Sequence, residues 1–425
     1  MSKTNALIIK ARGLNTQPNE LDVPEGSLRV AENVEVTRDN VVQLSPGFAD
    51  YSSNMPDFEV QALFAYGGTL YAHADDGIWY HDGSNWLRKR ARFGAPLSRP
   101  YGMILSGSTL YLSDFGKHVI WSIDLTTGAR TVLAGRYGTS GATNGTGDAA
   151  RFNGPAGMTF TGGSLYVCDR TNHVIRKVTT AGVVTTLSGT LGAGSGDVDS
   201  GTAANVRFQE PTDIQALGTS LYVCDKTNLK VKTVTTATGA STTLYTTGSA
   251  NTTPNAITTD GTDLYVCTQS EATPNTFDSE IWKITTGGSK STITTMAGAC
   301  NAIYWDSTSS RLLVASQETA LVYKVTTAGA ATTFIGGGSG TSVDGKASSA
   351  TAGTVSVCTI GTVNYFAADA NTIYISEGTT PGVPALRKMY RSTEYVTTIV
   401  GTGVSYGTGA NSPTEQIDAM ILGPS

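Results

Sequence analysis

The side chains of this 425-residue chain that could do chemistry are few and widely spaced. Of four histidines, His73, His81, His118 and His173, only the first two lie near each other, eight residues apart across an expected turn. That is not the spacing of a metal pair on one element, so zinc chemistry is not expected. There is no Gly-x-Ser-x-Gly elbow, no Walker loop and no nucleophilic cysteine beside a basic partner, which removes the usual signatures of acyl and phosphoryl transfer. Five cysteines, Cys168, Cys224, Cys267, Cys300 and Cys358, are an odd number and cannot all pair internally. Three of them recur in LYVCD, LYVCD and LYVCT; equivalent positions on neighbouring repeats stand too far apart for a disulfide, so they read as buried free thiols. The conspicuous charge feature is Arg88, Lys89, Arg90 and Arg92, four cations within five residues. On an outer strand such a run is a solvated edge that discourages sheet pairing. Its functional reading is a contact with an acidic patch of a neighbouring subunit or with DNA, without sequence specificity and weakened by salt. No catalytic, cofactor-binding or metal-ligating residue is assigned, and the chain is expected not to be an enzyme.

The elements that position these residues are strands. Leu70-Tyr71, Leu110-Tyr111, Leu165-Tyr166, Leu221-Tyr222 and Leu264-Tyr265, with the variants Leu312-Leu313 and Ile373-Tyr374, recur every 40 to 60 residues or so, the mark of a radial β-repeat. The unit is clearest from Pro155 to Gly189: PAGMTFTGG, SLYVCD, VIRKVTT and VVTTLSG alternate with period two between tight turns, as four antiparallel strands of one blade. Blade 2 aligns from Pro100, blade 4 from Pro211, blade 5 from Pro254, blade 6 from Asn301 and blade 7 from about Val355, with a compressed blade 1 beginning near Phe58. The expected fold is an all-β propeller, most simply of seven four-stranded blades, with six or eight also allowed. Residues 1–50 form an N-terminal extension and closing hairpin, 51–400 the blades, and 401–425 a C-terminal link returning to the closure. The hairpin is expected within 30–48, turning at Arg38-Asp39-Asn40, and its strands are expected to cover the edge of the last blade. Charged residues make up 15% and the formal net charge is -5, which argues against a surface that grips nucleic acid throughout. The apolar run Ala6 to Ile9 is too short for a signal-peptide core, and no stretch reaches membrane-span length.

GPAGMTFTGGSLYVCDRTNHVIRKV resembles the NHL repeat, in which Pro-x-Gly precedes a strand, Leu-Tyr-Val-x-Asp follows, and Asn-His-x-Ile-Arg-Lys closes the pattern. Glycine-rich links ending in Arg-Phe, from Gly135 and from Gly189, belong to the same resemblance; degenerate copies begin at Gly336 and Gly401. His118 and His173 fall at one turn position of the repeat and read as structural. Propellers that act as metal-dependent lactonases gather oxygen ligands on inner strands around the tunnel, and Asp213, Asn255 and Asn301 are the residues here that fall near its mouth. Asp213 lies nine residues before Tyr222 and Asn255 ten before Tyr265; one residue of phase turns a strand side chain to the opposite face, so a wet polar tunnel is the plainer reading.

The first fifty residues carry a second resemblance. GLNTQPNELDVPEGSLRVAENVEVTRDNVVQLSPGF, with Gly13 to Pro18, Pro24 to Gly26, Ala31 to Val34, Arg38-Asp39 and Ser45 to Phe48, is similar to the opening of the nozzle, or tail tubular, proteins of short-tailed phages. The resemblance implies a virion structural protein of the tail that assembles in the host cytoplasm as a homo-oligomeric ring, a hexamer, around the genome ejection channel. Its implied partners are the head–tail adaptor, tail fibre proteins and, transiently and without specificity, viral DNA; no membrane and no cofactor are implied. Two alternatives stay open: an NHL-type module that binds protein or RNA, and a calcium-dependent lactonase-like hydrolase.

Overall fold

Segments such as Ser164–Asp169 are strands because β-branched and aromatic residues alternate between Gly-rich turns. A computed structural model describes residues 97–126, 129–249, 251–273, 276–316, 321–336, 343–346, 362–378, 384–392, 394–400 and 405–406, together with the backbone of six earlier strands within 34–90. The chain divides into two compact units, residues 1–96 with 124–130, and residues 97–123 with 131–425. In the first, Val34–Val36 pairs with Val42–Leu44, the hairpin expected from the sequence. Val60–Tyr66, Thr69–Ala74, Gly77–His81 and Trp86–Arg90 form a four-stranded antiparallel sheet in sequence order.

The second unit holds the propeller. Its inner strands are Pro100–Ser106, Pro155–Thr161, Pro211–Leu217, Thr252–Thr259, Cys300–Asp306 and Val363–Ala368, each opening a run of four antiparallel strands, to which short link strands are added in blades 3 and 7. Each inner strand packs against the next, and the sixth packs back on the first. The ring therefore has six blades, blades 2 to 7 of the sequence reading, rather than the favoured seven. The 60–90 sheet obeys the same strand pattern, yet the seam between blades 7 and 2 is already occupied: Asn364 Nδ2 donates to Pro100 O at 2.6 Å and Ser376 Oγ to Tyr101 O at 2.8 Å. No N-terminal strand belongs to any of the six sheets among the described residues. The edge of blade 7 is covered instead by Val343–Lys346, which pairs with Tyr395–Val400 and, in parallel, with Ser405–Tyr406.

The repeated Leu-Tyr pair is the packing unit. Leu110, Leu165, Leu221 and Leu264 are fully buried, and their tyrosines nearly so. Tyr111 stacks on Phe160 of the next blade at 6.0 Å and Tyr265 on Trp305 at 5.7 Å, contacts that add about 0.5–1.5 kcal/mol each beyond burial. The four described cysteines are free and buried, and burial pushes the thiols of Cys168, Cys224 and Cys300 up; Cys358 lies outside the described residues.

The glycine-rich links clasp the blades. Gly145–Thr146 pairs with Val183 and Val184 on the outer strand of blade 3, and Ser200 bridges Ser241 on that of blade 4, so each link hides an unpaired edge. The Arg-Phe ending has a mechanical use. Phe152 and Phe208 are fully buried, each beneath a buried cation: Arg176 lies 5.2 Å from the Phe152 ring and Lys232 5.4 Å from that of Phe208. Arg176 donates to Asp169 Oδ2 at 2.8 Å and to Thr143 O, Arg151 O and Asn144 Oδ1 of the link. Lys232 meets Asp197, Asp199 and Asp225. The Asp at the end of LYVCD and the basic residue of the third strand thus form one buried clamp.

His118 and His173 are structural, as their repeat position suggested. Both adopt positive φ, 60° and 58°, and their Nδ1 atoms accept the backbone N–H of Gly154 and Glu210, each on the following blade. Burial lowers both imidazoles, which keeps Nδ1 free to accept. Among the described residues no helix is long and apolar enough to cross a membrane.

Candidate functional site at the propeller axis

Every inner strand of the ring carries a register shift close to its start, at 100–103, 155–158, 211–213, 254–256, 300–302 and 363–365. A bulge re-aims the residues that follow it. Within the shift stand Gly102 and Gly157, and at its far end Asp213, Ala256, Ala302 and Tyr365, four small residues and two large ones. Asp213 and Tyr365 are three blades apart in a ring of six, and they meet across the axis: the Tyr365 hydroxyl donates to Asp213 Oδ1 at 2.9 Å. It also lies 3.4 Å from Met158 O. The small residues make room for this crossing. A Cβ on Gly157 would lie 2.6 Å from Asp213 Cα and 2.8 Å from Thr212 O, and would collide with Asp213 Oδ1 as well.

Asp213 is 1% exposed. Its Oδ1 also accepts from Ile214 N, and its Oδ2 from Ile257 N, both at 2.8 Å. Burial raises its pKa to about 7, against the pull of these donors, which favour the ionised form. The Tyr365 hydroxyl is held well above the usual phenol range by burial and then by Asp213. Asp213 and Tyr365 together stopper the axis.

Asn255 does not join Asp213. It is the extra residue of the bulge in blade 5, and its side chain runs to Cys300 O through Nδ2 at 2.8 Å, while Oδ1 accepts from Lys226 Nζ at 3.2 Å. A cation at this position would face an ammonium, so the pair does not compose the calcium site entertained from the sequence. The one-residue phase difference between Asp213 and Asn255 read from the Leu-Tyr marker is real, and it has this consequence. Among the described residues no group of three His, Cys, Asp or Glu side chains is placed to hold a metal ion.

Beside the stopper lies a polar cluster. Tyr101 stands in the bulge of blade 2, half-buried, with burial raising its phenol to about 12 and with Arg170, Asp213 and Arg99 within electrostatic reach. Arg99 and Arg170 both lie over the Phe115 ring, at 4.7 and 5.9 Å. Arg170 pairs with Glu210 at 2.8 Å. Lys226 is lowered by burial first and then by the charge of Arg170. Sequence reading missed this cluster; the signal lay in the residue after each LYVCD, Arg170 in blade 3 and Lys226 in blade 4.

The sequence-predicted cations belong to the first unit. Arg88, Lys89 and Arg90 are on Trp86–Arg90, the edge strand of the 60–90 sheet, as an outer-strand position requires; Arg92 lies outside the described residues.

No family model matches the chain, and no curated protein matches its sequence. Similar solved structures include a structural genomics protein of unknown function from Bacteroides thetaiotaomicron (15% identity, 81% of this chain and 87% of that one, TM-score 0.49). A gluconolactonase from Xanthomonas campestris is 14% identical over 67% of this chain and 84% of its own, with TM-score 0.46. A streptogramin B lyase is 14% identical over 72% and 83%, with TM-score 0.45. The propeller itself rests on the six sheets and their closed ring.

Proposed function

We propose that this protein is a structural component of a short-tailed phage virion, a wall element of the tail nozzle that assembles as a ring of identical subunits around the genome ejection channel. The observation that carries the reading is the stoppered axis. The one carboxylate that the sequence placed on it is spent on Ile214 N, Ile257 N and the Tyr365 hydroxyl, so a hydrogen bond crosses the axis where a tunnel site would need a free acid. The N-terminal resemblance supports the assembly: the segment Gly13 to Phe48 contains the paired strands Val34–Val36 and Val42–Leu44. In this reading the genome passes along the axis of the subunit ring, and the propeller axis can be closed without blocking it. The Arg88, Lys89, Arg90 and Arg92 run then serves a neighbouring subunit or the passing DNA, and the adaptor and tail fibre proteins are the further partners.

Imaging of virions with the protein labelled tests the proposal. A closed ring of identical subunits on the tail is expected; a protein that stays monomeric and is absent from particles would overturn it. The cyclic contact would be heterologous, one face of a subunit against a different face of the next.

A further inference from the structure

The polar groups beside the Tyr365–Asp213 stopper offer more donors than acceptors. Lys226 Nζ bonds only the neutral Asn255 Oδ1, at 3.2 Å, and has no carboxylate within ion-pair distance among the described residues. It nevertheless lies close enough to Arg170 to be pushed down by it, after burial. Glu210 pulls Lys226 back up, but its one carboxylate serves both cations, and two cations that share one acid leave a positive charge that a further anion would offset. The Tyr101 hydroxyl makes no hydrogen bond among the described residues, and it remains a protonated donor at neutral pH because burial raises it to about 12. Its ring lies 6.3 Å from that of Phe115, and Phe115 carries both Arg99 and Arg170, so all three side chains gather around one ring.

Glu210 is the one acid paired with these cations, through Arg170. Its backbone is left-handed, φ 54°, at the position where blade 3 has Gly154 at φ 66°. A side chain in that region costs about 1–3 kcal/mol and persists where the surroundings require it. Its carboxylate is 44% exposed and can swing into solvent.

We propose that this cluster binds one small oxyanion, a carboxylate or a phosphate, between Lys226 Nζ, the Arg170 guanidinium and the Tyr101 hydroxyl, with Glu210 as the internal competitor that yields Arg170 on binding. Charge-assisted bonds from Lys and Arg are the strong class, and the fork of a guanidinium suits either anion. The site does not depend on the virion role.

The test is calorimetric titration of the full chain with inorganic phosphate and, separately, with malonate, at matched ionic strength. One site per chain is expected. Lys226→Met, which keeps the apolar stem, should weaken binding about tenfold, the value of one charge-assisted bond. Glu210→Gly, which installs the residue that blade 3 uses, should tighten binding several-fold. A response to phosphate alone or malonate alone supports the site and names its anion. Failure of both to bind wild-type protein, or unchanged affinity in Lys226→Met, overturns the inference. If Lys226→Met does not fold, Glu210→Gly decides: tighter binding supports the site, and unchanged or weaker binding overturns it.

Discussion

Replacing Tyr365 by Phe removes one oxygen from the middle of the ring and leaves the aromatic plug in place. The lost bond is to Asp213 Oδ1, at 2.9 Å, and its worth depends on the charge of that carboxyl. Asp213 titrates at about 7. At pH 5 it is protonated, the bond is between neutral groups, and its loss should cost about 1 kcal/mol. At pH 8 the carboxylate is ionised and buried, and losing a donor should cost about 2–3 kcal/mol. The difference, about 1–2 kcal/mol, corresponds to a further rise of about one unit in the Asp213 pKa. Wild-type protein supplies the baseline. The folded pKa lies above the unfolded value of 3.8, so the contribution of this group is complete below that value and is lost as pH rises through about 7. The rise of about three units amounts to about 4 kcal/mol. Denaturant titrations of both proteins at pH 5 and pH 8, with carbon-13 shifts of the Asp213 carboxyl, measure both quantities. Equal costs at the two pH values, or an unmoved carboxyl titration, would refute the bond across the axis.

Arg176→Met should cost about 3–5 kcal/mol, because it strands Asp169 without its cation in the interior. It also releases the link at Thr143, Asn144 and Arg151, so limited proteolysis should cut there before the blades unfold; wild-type stability and resistance would show the clamp to be idle. Gly157→Ala should cost about 1–3 kcal/mol through overpacking against Thr212 and Asp213. Gly201→Ala, where a Cβ meets open space, is the control and should shift the denaturation midpoint hardly at all.

Blades 2 to 6 were legible in the sequence because each strand repeats one local rule, alternation between tight turns, and local rules survive without a partner in view. The Pro155 to Gly189 template matches its four strands closely. The count was not legible for the same reason. Leu70-Tyr71 satisfies the strand rule as well as Leu165-Tyr166 does, but membership of the ring is decided by what an inner strand packs against, and Asn364 and Ser376 reach Pro100 and Tyr101 across more than 260 residues. The axis shows the same division. The phase of Asp213 against Asn255 was readable from spacing; that Tyr365 would span the ring to meet Asp213 was not, since blade 7 is the least regular copy. The link motif lay between these cases. Its Arg-Phe was recognisable, whereas its use as a seat for Arg176 and Lys232 needs the third dimension.

Among the described residues, the seam between blades 7 and 2 is made by side chains and backbone carbonyls, not by a strand shared between the two ends of the chain. Each of the six sheets is drawn from one contiguous stretch of sequence, including the link that borders its outer edge. The ring is therefore closed by contact and open as a thread. Moving the termini to another gap between blades would leave every sheet whole, and duplicating or deleting one blade-sized segment would ask the remaining blades to change their angle but not their path. Circular permutants cut near residue 250 are the natural embodiment of that freedom. The number six is thus a property of how wedges fit around Asp213 and Tyr365, and not a topological necessity of the chain.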